Sequence, residues 1–433
     1  MPQLLRFIAI SLVTCLPLQA LAQALSDDDL LEHYKYLHEN PELSLQEHQT
    51  AAYLARELEG MGYKVTTGVG GTGLVGVLAN GDGPTLMYRA DMDALPVEEA
   101  TGLPYASQAK GVLPSGEEVL VMHACGHDVH MTVWLGVASR MAASREDWRG
   151  TLVLVAQPAE EIGAGAKAML ADRLFQRFPR PDFNLALHVN AALPAGQVGY
   201  VSGYAMANVD SVDVSVYGRG GHGAYPHKTR DPVVMASQIV LALQNVVSRE
   251  VSPLDSAVIT VGSIHGGTKH NIISDEVKLQ LTVRSYSDET RNYLLRRIEE
   301  ISAGVARTAG MPEERLPSVV VRDEYTPAVY NAPELVERAL PLLRQSLGEK
   351  SVVAISPVMG GEDFSRYGRT DPSVPGFLFA LGAVNQADYA ASQRGDTVLP
   401  SLHSAVFAPD AAPTLATGVK AATAVLTGLL QNP

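Results

Sequence analysis

The chain has 433 residues, 46% hydrophobic and 18% charged, a globular balance with apolar material for more than one domain. The formal net charge of -14, with no Lys/Arg run set against it, argues against a nucleic-acid partner.

Met1 to Arg6 carry one positive charge, Phe7 to Leu18 are almost wholly apolar, and Ala20-Leu21-Ala22 and Ala22-Gln23-Ala24 offer small-x-small cleavage patterns. This pattern predicts a secretory signal peptide over residues 1–24 and a periplasmic or secreted mature protein. The apolar run is short for an anchor, and Thr14 before Cys15 fits a lipoprotein box poorly. Cleavage leaves Cys125 as the one cysteine, so no internal disulfide can form. A lone thiol in an oxidising compartment is better explained as a metal-held thiolate than as a free one; a buried inert cysteine is the bland alternative.

In chain order, Ser26 caps a helix carrying Leu30, Leu31, Tyr34 and Leu37, which Asn40-Pro41 ends. A second helix is expected from Ser44, with Glu47 completing a capping box, to Gly60. Lys64–Thr67 and Leu74–Asn80 read as strands. The GxGxxG match between them, Gly68 to Gly73, precedes a strand instead of a helix and is a tight turn, not a phosphate loop. Apolar runs at 84–89, 151–157 and 183–189, separated by helical stretches, predict buried parallel strands, with polar residues gathered at their carboxyl ends. From 208 to 324 the order becomes strand, helix, strand, strand, helix, strand, a ferredoxin-like βαββαβ insertion. The expected organisation is therefore an α/β domain in two parts, 25–207 and 325–433, interrupted by a domain over 208–324.

The chemistry concentrates in VMHACGHDVH, 121–130, which puts one cysteine and three histidines within eight residues at the start of a helical pattern. Cys125 and His127 can present a thiolate and an imidazole to one ion of the zinc type. Glu160-Glu161 follow an apolar run, and neighbouring side chains there point apart, so one can bind metal while the other faces water. Metal binding lowers the pKa of water from ~15.7 to ~7, and a nearby carboxylate can take its proton and pass one to a leaving amine. His188 and His403 offer further neutral nitrogens. Any one of these histidines alone is best read as a packed or surface residue; the whole set is not.

RADMDALP (89–96), MHACGHDVH (122–130), QPAEEIGAGAKAM (157–169), LALHV (185–189), GGHGAYPH (220–227), MGGEDFS (359–365) and LHS (402–404) resemble the M20 metallopeptidases, in family order and over nearly the whole mature chain. The branch they resemble is the aminoacylase, hippurate hydrolase and auxin-conjugate amidohydrolase type. The resemblance implies a zinc-exopeptidase-like α/β/α sandwich with an inserted dimerisation domain. It implies two divalent metal ions, zinc first, with manganese, cobalt or nickel also accepted by such ligands. Cys125, His127, Glu161, His188 and His403 become the ligands and Glu160 the general base. His222, as oxyanion donor, and Asn271 would reach a neighbouring subunit's site. Arg284 matches a position that grips the substrate carboxylate, with structural pairing the alternative, and Gly360 and Gly361 join the substrate-binding candidates. Ile162, Asn190-Ala191 and Gly361 depart from the family pattern, the first two at the expected acyl pocket. Asp91 and Asp93 are expected to order the site, and His123 and His130 to take no ligand role.

These features predict an exported metal-dependent amidohydrolase acting on N-acyl amino acids or short peptides. Two rivals stand beside it. A thiol amidase would use Cys125 as nucleophile and His127 as base, but leaves the glutamate pair unexplained. An exported binding protein without catalysis would need none of these ligands.

Overall fold

The computed structural model describes residues 24–323 and 325–431. The expected leader, apart from Ala24, lies outside them, as does Glu324. The main sheet runs Lys64–Val69, Gly73–Asn80, Gly150–Gln157, Thr85–Asp91, Phe183–Pro194, Gly376–Val384, Val329–Asn331, Gly203–Met206. The four strands from Gly150–Gln157 to Gly376–Val384 are parallel, whereas the 64–80 hairpin pairs antiparallel. Its turn is the GxGxxG segment, with Gly68, Gly70 and Gly71 all at positive φ.

Both faces of this sheet are covered, which is why its strands read as continuous apolar runs. Along Gly150–Gln157, Leu152, Leu154 and Ala156 enter the larger core, and Val153 and Val155 the smaller. The larger core is roofed by helices Asp27–Glu39, His48–Gly60, His127–Ala143, Pro333–Leu347 and Ala411–Gln431. The last is long and apolar enough to cross a membrane, yet Val419, Ala422, Val425 and Leu426 are wholly buried within the core.

Asn208–Tyr217, Ala257–Gly266, Glu276–Ser285 and Ser318–Val321 form a second, antiparallel sheet. Its order is 257–266, 276–285, 208–217, 318–321, the ferredoxin-like arrangement. Helices Pro232–Asn245, capped by Asp231, and Asp288–Thr308, capped by Ser287, close one face over a separate core. Ala257–Gly266 is a ten-residue edge strand.

The capping box expected at Ser44–Glu47 does not form. The helix starts at His48, and the Glu47 side chain caps none of its backbone. Ser44 Oγ donates instead to Asp93 Oδ2 at 2.6 Å, and Glu47 accepts from Thr72 Oγ1 at 2.5 Å and from Ala159 N–H at 2.8 Å. Glu47 is fully buried, and these tertiary partners outweigh a local cap.

His38, at the end of the first helix, ties it to the start of His127–Ala143. Its Nδ1 lies 2.7 Å from Asp128 Oδ2 and its Nε2 3.1 Å from Glu99 Oε1. Burial alone would push its pKa down, but the two carboxylates prevail and raise it to about 10. The sign follows: this stabilisation is complete below pH ~6.5 and is lost as pH climbs through about 10. The lowered carboxylates add stability above pH ~4 that is lost on acidification. His38→Gln should therefore cost about 1.5–3 kcal/mol near pH 6 in urea melts, shrinking toward pH 10. An undiminished gap at pH 10 would mean the imidazole is neutral.

Candidate metal centre

The site lies at the carboxyl ends of the parallel strands, where open α/β sheets place ligands. Gly126, at φ +80°, turns the chain into helix His127–Ala143, and a Cβ there would meet Val189 Cγ2 at 2.4 Å. Only glycine meets both demands, and the turn sets Cys125 and His127 side by side. Glu160 and Glu161 follow strand Gly150–Gln157 through Ala159, a non-glycine at φ +50°. His403 is also left-handed, at φ +65°, and its N–H donates to Ala124 O at 2.9 Å. Such backbone conformations persist where surrounding contacts over-determine them.

Six expected residues converge. His188 Nε2 lies 3.5 Å and His403 Nε2 3.3 Å from Cys125 Sγ. His127 Nε2 lies 3.8 Å from Glu161 Oε1 and 3.9 Å from Glu160 Oε2, and His403 Nε2 lies 3.6 Å from Glu161 Oε2. Two neighbouring triads, Cys125/His127/His188 and Cys125/Glu161/His403, share the sulfur.

The imidazoles are held in defined tautomers. His127 Nδ1–H donates to the Asp93 carbonyl at 2.7 Å and His188 Nδ1–H to the Val189 carbonyl at 2.8 Å, so both Nε2 atoms face the cluster. His127 Nε2 and Glu161 Oε1 are buried without a hydrogen-bond partner. Buried polar atoms are normally paired, and a divalent cation between these donors would satisfy both. The donor set of thiol, imidazole and carboxylate suits such an ion. Burial and the Glu161 carboxylate push the Cys125 thiol pKa well up, against the pull of His127. A thiol amidase would need neither Glu161 nor the further imidazoles of His188 and His403 gathered around that sulfur.

Asp93 organises the cluster. Its two carboxylate oxygens accept the N–H groups of Glu160 and Glu161, each at 3.0 Å. Asp91 accepts from His130 Nδ1 at 2.6 Å, and His130 Nε2 accepts from Val189 N–H at 2.8 Å. Both nitrogens of His130 are thus engaged, and burial lowers its pKa to about 4. Burial likewise lowers that of His123 to about 4.

Behind Glu160 stands a group missed in the sequence. Arg89, fully buried, donates to Asp91 Oδ2 at 2.6 Å, to both Glu362 oxygens at 2.9 and 3.2 Å, to Asp363 Oδ1 at 3.2 Å and to Gln157 Oε1 at 2.9 Å. Glu160, Glu362 and Asp363 form one acidic group. Burial, then Glu362, then Glu161 and Asp363, hold the Glu160 pKa well above the usual carboxylate range. The RADMDALP and MGGEDFS motifs contain these residues, and that was the signal available.

A cavity of about 750 Å³ opens over the cluster, lined by Cys125, Glu160, Glu161, His188 and His403 and also by Arg284, Gly360 and Gly361. Arg284 donates to the Met359 carbonyl at 2.7 Å and pairs with no carboxylate among the described residues. Gly361 packs against Val209, whose Cγ2 would lie 2.6 Å from an added Cβ. His222 and Asn271 do not line this cavity. They sit together on the small antiparallel pair Gly221–His222 and Ile272–Ile273, both exposed, with Gly223 N–H donating to Asn271 O. His222 Nδ1 accepts from Ala224 N–H at 3.1 Å, leaving Nε2–H to project as a donor.

Cys125→Ser should lower metal occupancy, because a hydroxyl is a far weaker ligand than a thiolate. In the wild type, iodoacetamide labelling should be slow with metal and fast after chelation. Equal rates would remove Cys125 from the ligand set.

Fold and site together define a hydrolase of the metallopeptidase kind. The model of Peptidase family M20/M25/M40 matches residues 87–406, and the chain belongs to that family. It is a hydrolase of amide or peptide bonds. It is 39% identical over 331 residues to hippurate hydrolase of Campylobacter jejuni, covering 76% of this chain and 82% of that one. It is 38% identical over 362 residues to N-acetyldiaminopimelate deacetylase of Bacillus subtilis, covering 82% and 90%. A dinuclear metal-binding peptidase of the M20 family from Bacillus subtilis superposes with a TM-score of 0.74 at 26% identity, over 94% of this chain and 99% of that one.

Proposed function

We propose that this protein is an exported, two-metal amidohydrolase that cleaves N-acyl amino acids or short peptides and releases the free amino acid. The observation that carries the reading is the convergence of Cys125, His127, Glu161, His188 and His403, with His127 Nε2 and Glu161 Oε1 buried and unpartnered. Two divalent ions, zinc first, would be held by the two triads that share Cys125. When bound, they supply Lewis-acid polarisation of the amide carbonyl and acidify a water molecule. Glu160 takes the proton from that water and returns one to the departing amine. Arg284, without a carboxylate partner among the described residues, orients the substrate's own carboxylate, with Gly360 and Gly361 leaving room beside it. Export rests on the N-terminal sequence alone, and the mature N-terminus of periplasmic or secreted material tests it.

The test of the reaction is hydrolysis of an N-acyl amino acid panel before chelation, after it, and after metal is restored. Activity that survives complete metal removal overturns the proposal.

The proposal includes a homodimer with shared sites. His222 lies off the cavity of its own chain with Nε2–H free, on a domain whose edge strand Ala257–Gly266 and neighbouring Leu241, 71% exposed, offer a surface for a second copy. His222 would then stabilise the oxyanion in the partner, and losing such a donor costs roughly 10²–10³ in kcat. Mixing Glu160→Gln and His222→Ala subunits should recover activity that neither homodimer has. No recovery, with exchange confirmed by native mass spectrometry, places His222 outside the reaction.

A further inference from the structure

A second cavity, about 530 Å³, adjoins the metal centre and shares His188, Met206, Gly360 and Leu402 with it. Its wall is built from Val201, Ala205, Ile355, Val358, Leu378 and Ala380, and among the described residues no Asp, Glu, Lys or Arg lines it. Asn190, one of its few polar residues, is already engaged, its Oδ1 accepting from Ala192 N–H at 2.8 Å. The volume is that of a small-molecule site, and Asn190 and Ala191, which depart from the family pattern, line it.

The two cavities differ in charge, and that orients a substrate. Arg284 lines the metal cavity and is absent from the second. A substrate whose carboxylate pairs with Arg284 and whose amide lies over Cys125 and Glu160 sends its acyl end the other way, past His188 and Met206. An ammonium group there would be buried with no carboxylate to meet it, which is costly. An acetyl group would leave most of the volume unfilled.

From this arrangement we infer that the second cavity is the acyl pocket and that it selects uncharged, apolar acyl groups of medium chain length over acetyl and over peptides with a free amino terminus. The inference rests on the proposed amidohydrolase reading and specifies its substrate class. Val201 and Val358 set the length accepted.

The test uses metal-loaded enzyme with acetyl, butanoyl, hexanoyl, octanoyl and decanoyl derivatives of alanine, methionine and aspartate, and an 8-aminooctanoyl analogue. kcat/KM should rise roughly fourfold per added methylene, the equivalent of ~0.8 kcal/mol each, until the pocket is full. The 8-aminooctanoyl compound should fall about 10²-fold or more below octanoyl. Val201→Trp should flatten the series, lowering the decanoyl/acetyl ratio of kcat/KM at least tenfold. Val358→Trp, at a 48% exposed rim position, does the same should the first variant fail to fold. Titrating the Glu160→Gln protein with the series should show the same steps in Kd, a readout independent of turnover. A series that is flat or falls from acetyl onward, or a decanoyl/acetyl ratio that neither tryptophan changes, overturns the acyl pocket alone. Failure to cleave any of these compounds overturns the amidohydrolase reading itself, and the pocket assignment with it.

Discussion

Exchanging Glu160 for glutamine should abolish turnover and leave metal content unchanged. The amide keeps the shape of the side chain but cannot accept a proton, and the donors around Cys125 and His127 are untouched. A general base contributes about 10²–10⁴-fold, and in the proposed reaction Glu160 acts twice, so kcat should fall by at least the upper part of that range. Stability should hold or rise, because Glu160 is crowded by Glu362, Glu161 and Asp363, and neutralising it removes like-charge repulsion. Metal content by mass spectrometry, kcat and a thermal melt on one preparation decide the matter. Near-normal kcat would take the proton-transfer role away from Glu160.

The second large effect is expected at Arg89. Its guanidinium bonds to Asp91, Glu362 and Asp363 together, all fully buried. Removing one partner from a buried ion pair typically costs about 3–5 kcal/mol, and here three carboxylates would lose their guanidinium partner at once. Arg89→Met should reach at least that range in denaturant melts, or fail to fold. Arg89→Met combined with Glu362→Met should be less destabilised than the single variant, since one stranded charge goes with its partner. A single variant within 1 kcal/mol of wild type would show that the network is not what holds these strand ends together.

Local pattern made much of this molecule legible. Helix Asp288–Thr308 and the alternation in Asn208–Tyr217 follow from spacing, because one face of each lies on a single core. The buried parallel strands were visible as apolar runs, since both sides of the sheet are covered. What stayed hidden depends on partners far away in the chain. Arg89 and Glu362 are 273 positions apart, and no periodicity connects them. Ser44 and Glu47 have the spacing of a capping box, yet Asp93, Thr72 and Ala159 claim them in three dimensions. That His222 would lie off its own chain's cavity came from the family resemblance and not from spacing in the chain.

The contact from His403 N–H to Ala124 O joins two segments with the whole ferredoxin-like insertion between them. A nascent chain therefore carries Cys125, His127 and the glutamate pair for most of its synthesis with one wall of the ion-binding pocket still unmade. Any cation captured then would meet an incomplete cage. Only when the last strand and the His403 loop close against Ala124 does the full set exist. The Cys125/His127/His188 triad can thus assemble before the chain is finished, whereas the Cys125/Glu161/His403 triad belongs to the completed polypeptide alone.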